Sequence, residues 1–171
     1  MPPRVVPLEP ADHLDDLAAI LVDAVEGGAS VSFMLPFTLD EARAFWCRVA
    51  ERAQAGEVVT VGAFTDHRLD GTVQLITATP PNQPHRAEIA KLLVHRRARG
   101  RGLGRALMLA AEAAALSRGR TLLTLDTLTG SPAERLYLAL GYTRAGTIPG
   151  YALLPEGGEP RATVVFYKRL A

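Results

Sequence analysis

Residues 95–104 read HRRARGRGLG, with the apolar run KLLV before them and an alanine- and leucine-rich stretch after them. Glycine allows positive φ and close approach of backbone to a ligand, and arginine supplies charge-assisted hydrogen bonds to oxyanions. A strand, a glycine-rich turn and a helix, in that order, aim free backbone N–H groups and the positive end of the helix at an anion. The turn therefore predicts a phosphate-bearing ligand, and its spacing narrows the choice. The dinucleotide pattern G-x-G-x-x-G/A fails: counted from Gly100 and Gly102, the third position is Arg105, and Asp126 after the next strand imitates only the acidic partner of such a site. No G-x-x-x-x-G-K-[ST] occurs. What is present is R-x-x-G-x-G, as Arg97, Gly100 and Gly102, with Gly104 two residues on. Five arginines between positions 96 and 105 also suit a solvated patch or a nucleic-acid contact. Charge alone does not explain the glycines, however, and the turn has no aromatics to stack on bases.

The elements that must position this turn follow from periodicity and punctuation. After an extended start over residues 4–8, Leu14, Leu17, Leu21 and Val25 recur at helical spacing within residues 10–28 and stop at Gly27-Gly28. A second helix opens on a capping box, Thr38 with Glu41, and carries Ala42, Phe45, Trp46, Val49 and Ala53 on one side. EVVTVGAFT and TVQLITAT read as strands joined through Asp70-Gly71, followed by AEIAKLLVH after the loop PPNQP. Residues 102–116 form a helix, TLLTLDT a strand, and SPAERLYLALG a short helix with Ser131 as cap, Pro132 in the first turn, Glu134 closing the box and Gly141 at the end. Two strands divided by the hairpin tip PEGGEP close the chain, giving the order β-α-α-β-β-β-α-β-α-β-β.

With 171 residues, 48% hydrophobic and 22% charged, residues 1–171 read as one soluble domain, and a formal net charge of +1 gives no general pull toward nucleic acid or membrane. A single cysteine and no apolar leader or membrane-length run predict a cytoplasmic protein, monomer or homodimer. Cys47 beside Trp46 reads as a small buried thiol, and the four histidines as surface or turn residues without metal-ligand spacing, so no metal is expected. No G-x-S-x-G supports an esterase.

The R-x-x-G-x-G turn after KLLVH, in this order of elements, resembles the GNAT superfamily of N-acetyltransferases from the first helix to the last strand. The resemblance implies an α/β fold, a mixed and partly splayed β-sheet flanked by about four α-helices, with acetyl-CoA as co-substrate. It places the diphosphate on the amides of Arg99, Gly100, Arg101, Gly102, Leu103, Gly104 and Arg105, and the pantetheine along Leu92, Leu93 and Val94. The asparagine often found seven residues before the family's tyrosine is Gly130 here, which passes its cofactor contact to Ser131 or loses it.

Acetyl transfer from a thioester to an amine needs a neutral amine, a stabilised oxyanion and a proton for the leaving thiolate. Tyr137, at the family's acid position, is the candidate acid, although its helical spacing with Ala133 and Leu140 equally fits an interior aromatic. Glu88 and Asp126 stand at strand positions with apolar neighbours, surroundings that raise a carboxylate's pKa and suit it as a base; an edge charge and a turn former are the plainer readings. A backbone N–H near Val94 would meet the oxyanion. The segments RAEIAKLLVHRRARGRGLGRALM and LLTLDTLTGSPAERLYLALGYTRAGTIPGYALLP are similar to acetyltransferases of the tabtoxin-resistance type, which act on the amine of an amino-acid-like β-lactam toxin, and imply acid–base roles for all three residues. The loop GGASVSFMLPF offers Ser30, Ser32 and Phe33 to the acceptor, with packing of Phe33, Met34 and Leu35 as the alternative. The expectation is an enzyme for a small-molecule primary amine, against three rivals: an acetyltransferase for protein amines, a non-catalytic acyl-CoA-binding module, and a nucleic-acid binder using the arginine turn.

Overall fold

The computed structural model describes residues 3–171. Strand β1 (Arg4–Leu8) is followed by helices α1 (Leu14–Glu26) and α2 (Leu39–Gln54), then by strands β2 (Val58–Thr65), β3 (Arg68–Ile76) and β4 (Arg86–Val94). Helix α3 (Leu103–Leu116), strand β5 (Leu122–Leu128), helix α4 (Pro132–Ala139) and strands β6 (Thr143–Leu154) and β7 (Gly157–Arg169) complete the order predicted from sequence. Residues 10–13, read as the start of the first helix, form a separate 3-10 turn, since His13 at φ −133° and ψ 25° leaves the helical path before α1.

The strands make one sheet in the order β1-β2-β3-β4-β5-β7-β6. All neighbours are antiparallel except β4 and β5. Those two pair only through Arg86–Leu122, Ala87–Leu123 and Glu88–Thr124. Beyond Glu88, β4 stays with β3 while β5 stays with β7, so the sheet splits at its centre. This is the mixed, splayed α/β fold expected.

Alternate strand residues send side chains to opposite faces. One face buries Val61, Val73, Ile89, Leu123 and Phe166 against α3 and α4. The other buries Val58, Phe64, Leu69 and Leu93 against α1 and α2, where Leu17, Leu21, Val25 and Trp46 are fully enclosed. The start of α2 is fixed by the predicted capping box: Thr38 Oγ1 accepts the Glu41 N–H at 3.2 Å, and Glu41 accepts the Thr38 N–H at 2.8 Å. Thr38→Ala is expected to lower stability by about 1 kcal/mol, a typical value for a lost N-cap, as read from denaturant unfolding; an unchanged midpoint would refute that contribution.

Four local expectations are corrected. The β2–β3 turn lies at Asp66 and His67, whose φ angles of +48° and +68° meet the left-handed requirement of a two-residue hairpin, whereas Asp70 and Gly71 are inside β3. Cys47 is exposed on α2, on the side away from Trp46's core. Glu134 accepts the N–H of Gly130, not of the cap Ser131, and pairs with Arg144. Strand β7 already begins at Gly157, which reduces the hairpin tip to Pro155 and Glu156. Among the described residues no helix is long and apolar enough to cross a membrane.

Candidate active site

The turn between β4 and α3 sorts its five arginines into two kinds. Arg97, the first residue of the motif, folds back: its Nε donates to Asp70 Oδ1 at 2.7 Å and its Nη2 to the Leu69 carbonyl at 3.3 Å. Asp70 is almost wholly buried in β3, so this ion pair clamps the turn to the sheet. Arg96 is likewise committed, through both its backbone N–H and its Nε, each 2.8 Å from the Asp23 carboxylate at the end of α1. Burial opposes the charge on Asp23, but the Arg96 hydrogen bonds and the nearby His95 outweigh it and hold the carboxyl below its usual range. Arg99, Arg101 and Arg105 remain exposed. Arg99 bonds only the Val94 carbonyl, at 3.2 Å, and among the described residues Arg101 and Arg105 have no side-chain partner.

Gly100 and Gly102 take φ angles of +75° and +77°, which L side chains rarely adopt, and a Cβ at either would meet nothing within 4 Å. They are required for the path of the backbone, and that path leaves open space in front of it. Gly102 caps α3 without a side chain, and the first N–H to bond back into the helix is that of Ala106, to the Gly102 carbonyl at 3.1 Å. The amides of Leu103, Gly104 and Arg105 therefore end the helix as free donors at its positive pole. The side chain of Leu103 is in the core, so only its amide can serve a ligand. Gly104 has a second reason to be small: a Cβ there would come within 3.2 Å of Leu136 on α4. The residues present fit a diphosphate, with three free amides, the unpartnered guanidinium groups of Arg101 and Arg105, and that of Arg99, which commits only its Nε.

The split between β4 and β5 brings the titratable candidates together. Glu88 stands on the last pair before the strands part, and Asp126 two residues beyond Thr124 on the other arm. Asp126 is exposed and accepts from Thr163 Oγ1 at 2.8 Å, which corrects the expected apolar setting. Tyr137 is buried with its ring 5.8 Å from that of Tyr142 and 5.9 Å from that of Phe166, so it is the interior aromatic that its spacing suggested. Its hydroxyl nevertheless has no hydrogen-bond partner among the described residues. Burial and the charge of Asp126 push the phenol well above its ordinary value, so it keeps its proton. Ser131 Oγ lies 3.2 Å from Thr127 Oγ1 and accepts the Glu134 N–H at 3.3 Å, as the cap of α4.

The loop between α1 and α2 forms the outer wall. Phe33 packs on Phe37 and Phe45, with centroids 4.6 and 5.3 Å away, whereas Met34 and Leu35 are exposed and not tucked under the loop. The Leu35 N–H donates to the Pro155 carbonyl at 2.8 Å, tying the loop to the β6–β7 turn. A cleft of about 500 Å³ runs along Ser32, Phe33 and Phe37 to Glu41 and Arg48; Ser30 is exposed but does not line it. One residue was missed by sequence reading. Lys91 sits at a bulge of β4 with φ +49°, where two β4 residues stand against one on β3. It points its ammonium at Phe33 and Phe45 and lies within the electrostatic reach of both Asp126 and Glu88.

The sequence profile described as "Acetyltransferase (GNAT) family" matches residues 21–142. Among solved structures, an N-acetyltransferase from Staphylococcus aureus Mu50 is 18% identical, with a TM-score of 0.82 over 100% of both chains. The yncA protein of Salmonella typhimurium, solved with its cofactor acetyl-CoA, is 17% identical with a TM-score of 0.83, over 100% of this chain and 95% of that one. The ribosomal-protein-alanine N-acetyltransferase of Brucella melitensis is 22% identical with a TM-score of 0.80, over 98% and 99%. At these identities the three share the fold.

Proposed function

The chain belongs to the GNAT family of acetyltransferases, and from that premise we propose that it is a single-domain enzyme moving the acetyl group of acetyl-CoA directly to a primary amine of a small molecule. An amino-acid-like toxin or antibiotic is the acceptor type to which the tabtoxin-resistance resemblance leads. The observation that carries the reading is a glycine-opened helix end with exposed arginines following directly on a strand that parts from its neighbour after Glu88, with Asp126 on the other arm of the split.

Acetyl-CoA supplies an activated acyl thioester. The amides of Leu103, Gly104 and Arg105, with Arg99, Arg101 and Arg105 side chains, hold its diphosphate, Gly100 and Gly102 give it room, and the backbone of Leu92, Leu93 and Val94 along the split guides the pantetheine. Glu88 and Asp126 take the proton of the incoming ammonium, directly or through water. Tyr137 supports the leaving sulfur by hydrogen bonding. A thiol has a pKa near 8.5 and this phenol lies far above that, so complete transfer of its proton would be uphill. Its contribution is a donated bond to developing negative charge.

The acceptor side is bounded by the α1–α2 loop, which the Leu35–Pro155 hydrogen bond ties to the β6–β7 turn; the open cleft of about 500 Å³ there is lined by that loop and α2 and does not include Glu88, Asp126 or Tyr137. Release of free CoA thiol from acetyl-CoA, followed colorimetrically over a panel of amino acids, β-lactam amino acids, diamines and peptides, tests the acceptor class. Turnover with small amino-acid-like amines and none with peptides is expected. Turnover confined to peptides would replace the acceptor with a protein amine, and binding without turnover would leave an acyl-CoA-binding module.

A further inference from the structure

Lys91 is a cation at the β4 bulge, beside the aromatic wall of the α1–α2 loop and α2, that the mechanism above does not use. Its Nζ lies 5.9 Å from the centroid of Phe33 and 5.8 Å from that of Phe45. Among the described residues it has no ion-pair or hydrogen-bond partner. Aromatic faces combined with nearby carboxylates are the chemistry that holds an ammonium. An ammonium carried by the chain itself thus already lies against the aromatic residues of the α1–α2 loop and α2.

We propose that Lys91 is a self-acetylation site, a built-in amine that takes the acetyl group in cis when no acceptor occupies the cleft; this rests on the transferase reading above. The same groups that serve an acceptor serve Lys91, because Glu88 and Asp126 face it and its own strand continues directly into Leu92, Leu93 and Val94. Burial draws its pKa below the ordinary lysine value against the opposing pull of Asp126 and Glu88, which enlarges the fraction that is neutral and nucleophilic. The backbone supports a special role: φ +49° at a residue with a side chain costs on the order of 1 kcal/mol, a strain typical of functional positions. Composition adds an independent sign. The chain has 17 arginines and two lysines. The other lysine, Lys168, is committed to both oxygens of Glu112 at 2.9 and 2.8 Å and to the Leu140 carbonyl at 2.8 Å. Arginine serves the cationic positions other than these two, and arginine, permanently protonated, cannot take this step.

In the step, Lys91 Nζ forms a bond to the thioester carbonyl carbon and the carbon–sulfur bond breaks. The ammonium loses two protons in all; one passes through Glu88 or Asp126 to water and the other ends on sulfur. The products are an acetamide on Lys91 and free CoA thiol. Acetylation removes the charge and fills the subsite, so the modified enzyme is closed to acceptors, while a bound acceptor amine shields Lys91.

Purified protein incubated with acetyl-CoA alone and mapped by peptide mass spectrometry tests this, with Lys168 as the internal standard. Acetylation at Lys91 is expected at least about tenfold faster than at Lys168, as proximity to a bound donor predicts. It should be suppressed by excess plain CoA and slowed by any amine the enzyme accepts. Lys91→Arg should still bind acetyl-CoA in calorimetry and show no acetyl at position 91. If the wild type binds acetyl-CoA but leaves Lys91 unmodified, or modifies both lysines equally, self-acetylation is overturned and the transferase reading stands. If it does not bind acetyl-CoA, the transferase reading itself falls.

Discussion

Gly102→Glu weakens acetyl-CoA binding by at least about a hundredfold in calorimetric titration. Two effects combine. Gly102 holds φ +77°, and a residue with a side chain pays roughly 1–2 kcal/mol for that conformation. The new carboxylate then stands at the helix end meant for the diphosphate, replacing charge-assisted hydrogen bonding, which contributes about 1.5–3 kcal/mol, with repulsion. Relief of that strain displaces the amides, so both terms act on binding, and together they come to about 2.5–5 kcal/mol against the ~2.7 kcal/mol that a hundredfold change requires. The effect belongs to the ligand site and not to packing, because nothing lies within 4 Å of a Cβ at this position and the variant is expected to remain folded. Gly102→Ala separates the terms, keeping the backbone strain without the charge, and should fall between the two. Binding by the glutamate variant within a few-fold of the wild type would mean that the turn does not hold the diphosphate.

Tyr137→Phe lowers kcat by about a hundredfold, near the lower end of what one acid–base or hydrogen-bonding group contributes, and leaves the acetyl-CoA Kd within about twofold. Phenylalanine preserves the ring between Tyr142 and Phe166, so the core is kept and only the unpartnered hydroxyl is lost. A hydrogen bond made to sulfur only as charge develops is absent from the binding equilibrium, which is why the loss should appear in kcat. Equal loss of binding and rate would make Tyr137 a packing residue. Unchanged kcat would move the support of the leaving thiolate elsewhere.

Much of this was legible along the chain because it depends on near neighbours. The capping box of Thr38 and Glu41, the left-handed glycines of the turn and the Leu17, Leu21 and Val25 stripe are all set by residues within a turn or two of one another. Where reading failed, a distant partner had decided. Asp70-Gly71 has the composition of a turn, yet Asp70 is drawn into β3 as the buried anchor of Arg97, 27 residues away, and Asp66 and His67 make the hairpin instead. Cys47 follows an amphipathic pattern that marks Trp46 as buried but leaves its neighbour on the solvent side.

The sequence by itself determined the order of elements, the glycine turn with its free helix-end amides and the identity of its glycines, since local backbone sterics and helix-end donors need no tertiary partner. Only the tertiary structure decided which arginines are free for a ligand, because Arg96 and Arg97 are neutralised by Asp23 and Asp70 from other elements. It alone also decided that Lys91 comes within electrostatic reach of Glu88 and Asp126, and Tyr137 within that of Asp126. That convergence arises where β4 and β5 stop pairing after Glu88 and Thr124, and where a bulge turns Lys91 toward the aromatic wall of another helix and loop. Such an arrangement depends on where two strands separated by a helix stop pairing, which residues within a turn or two of one another do not fix.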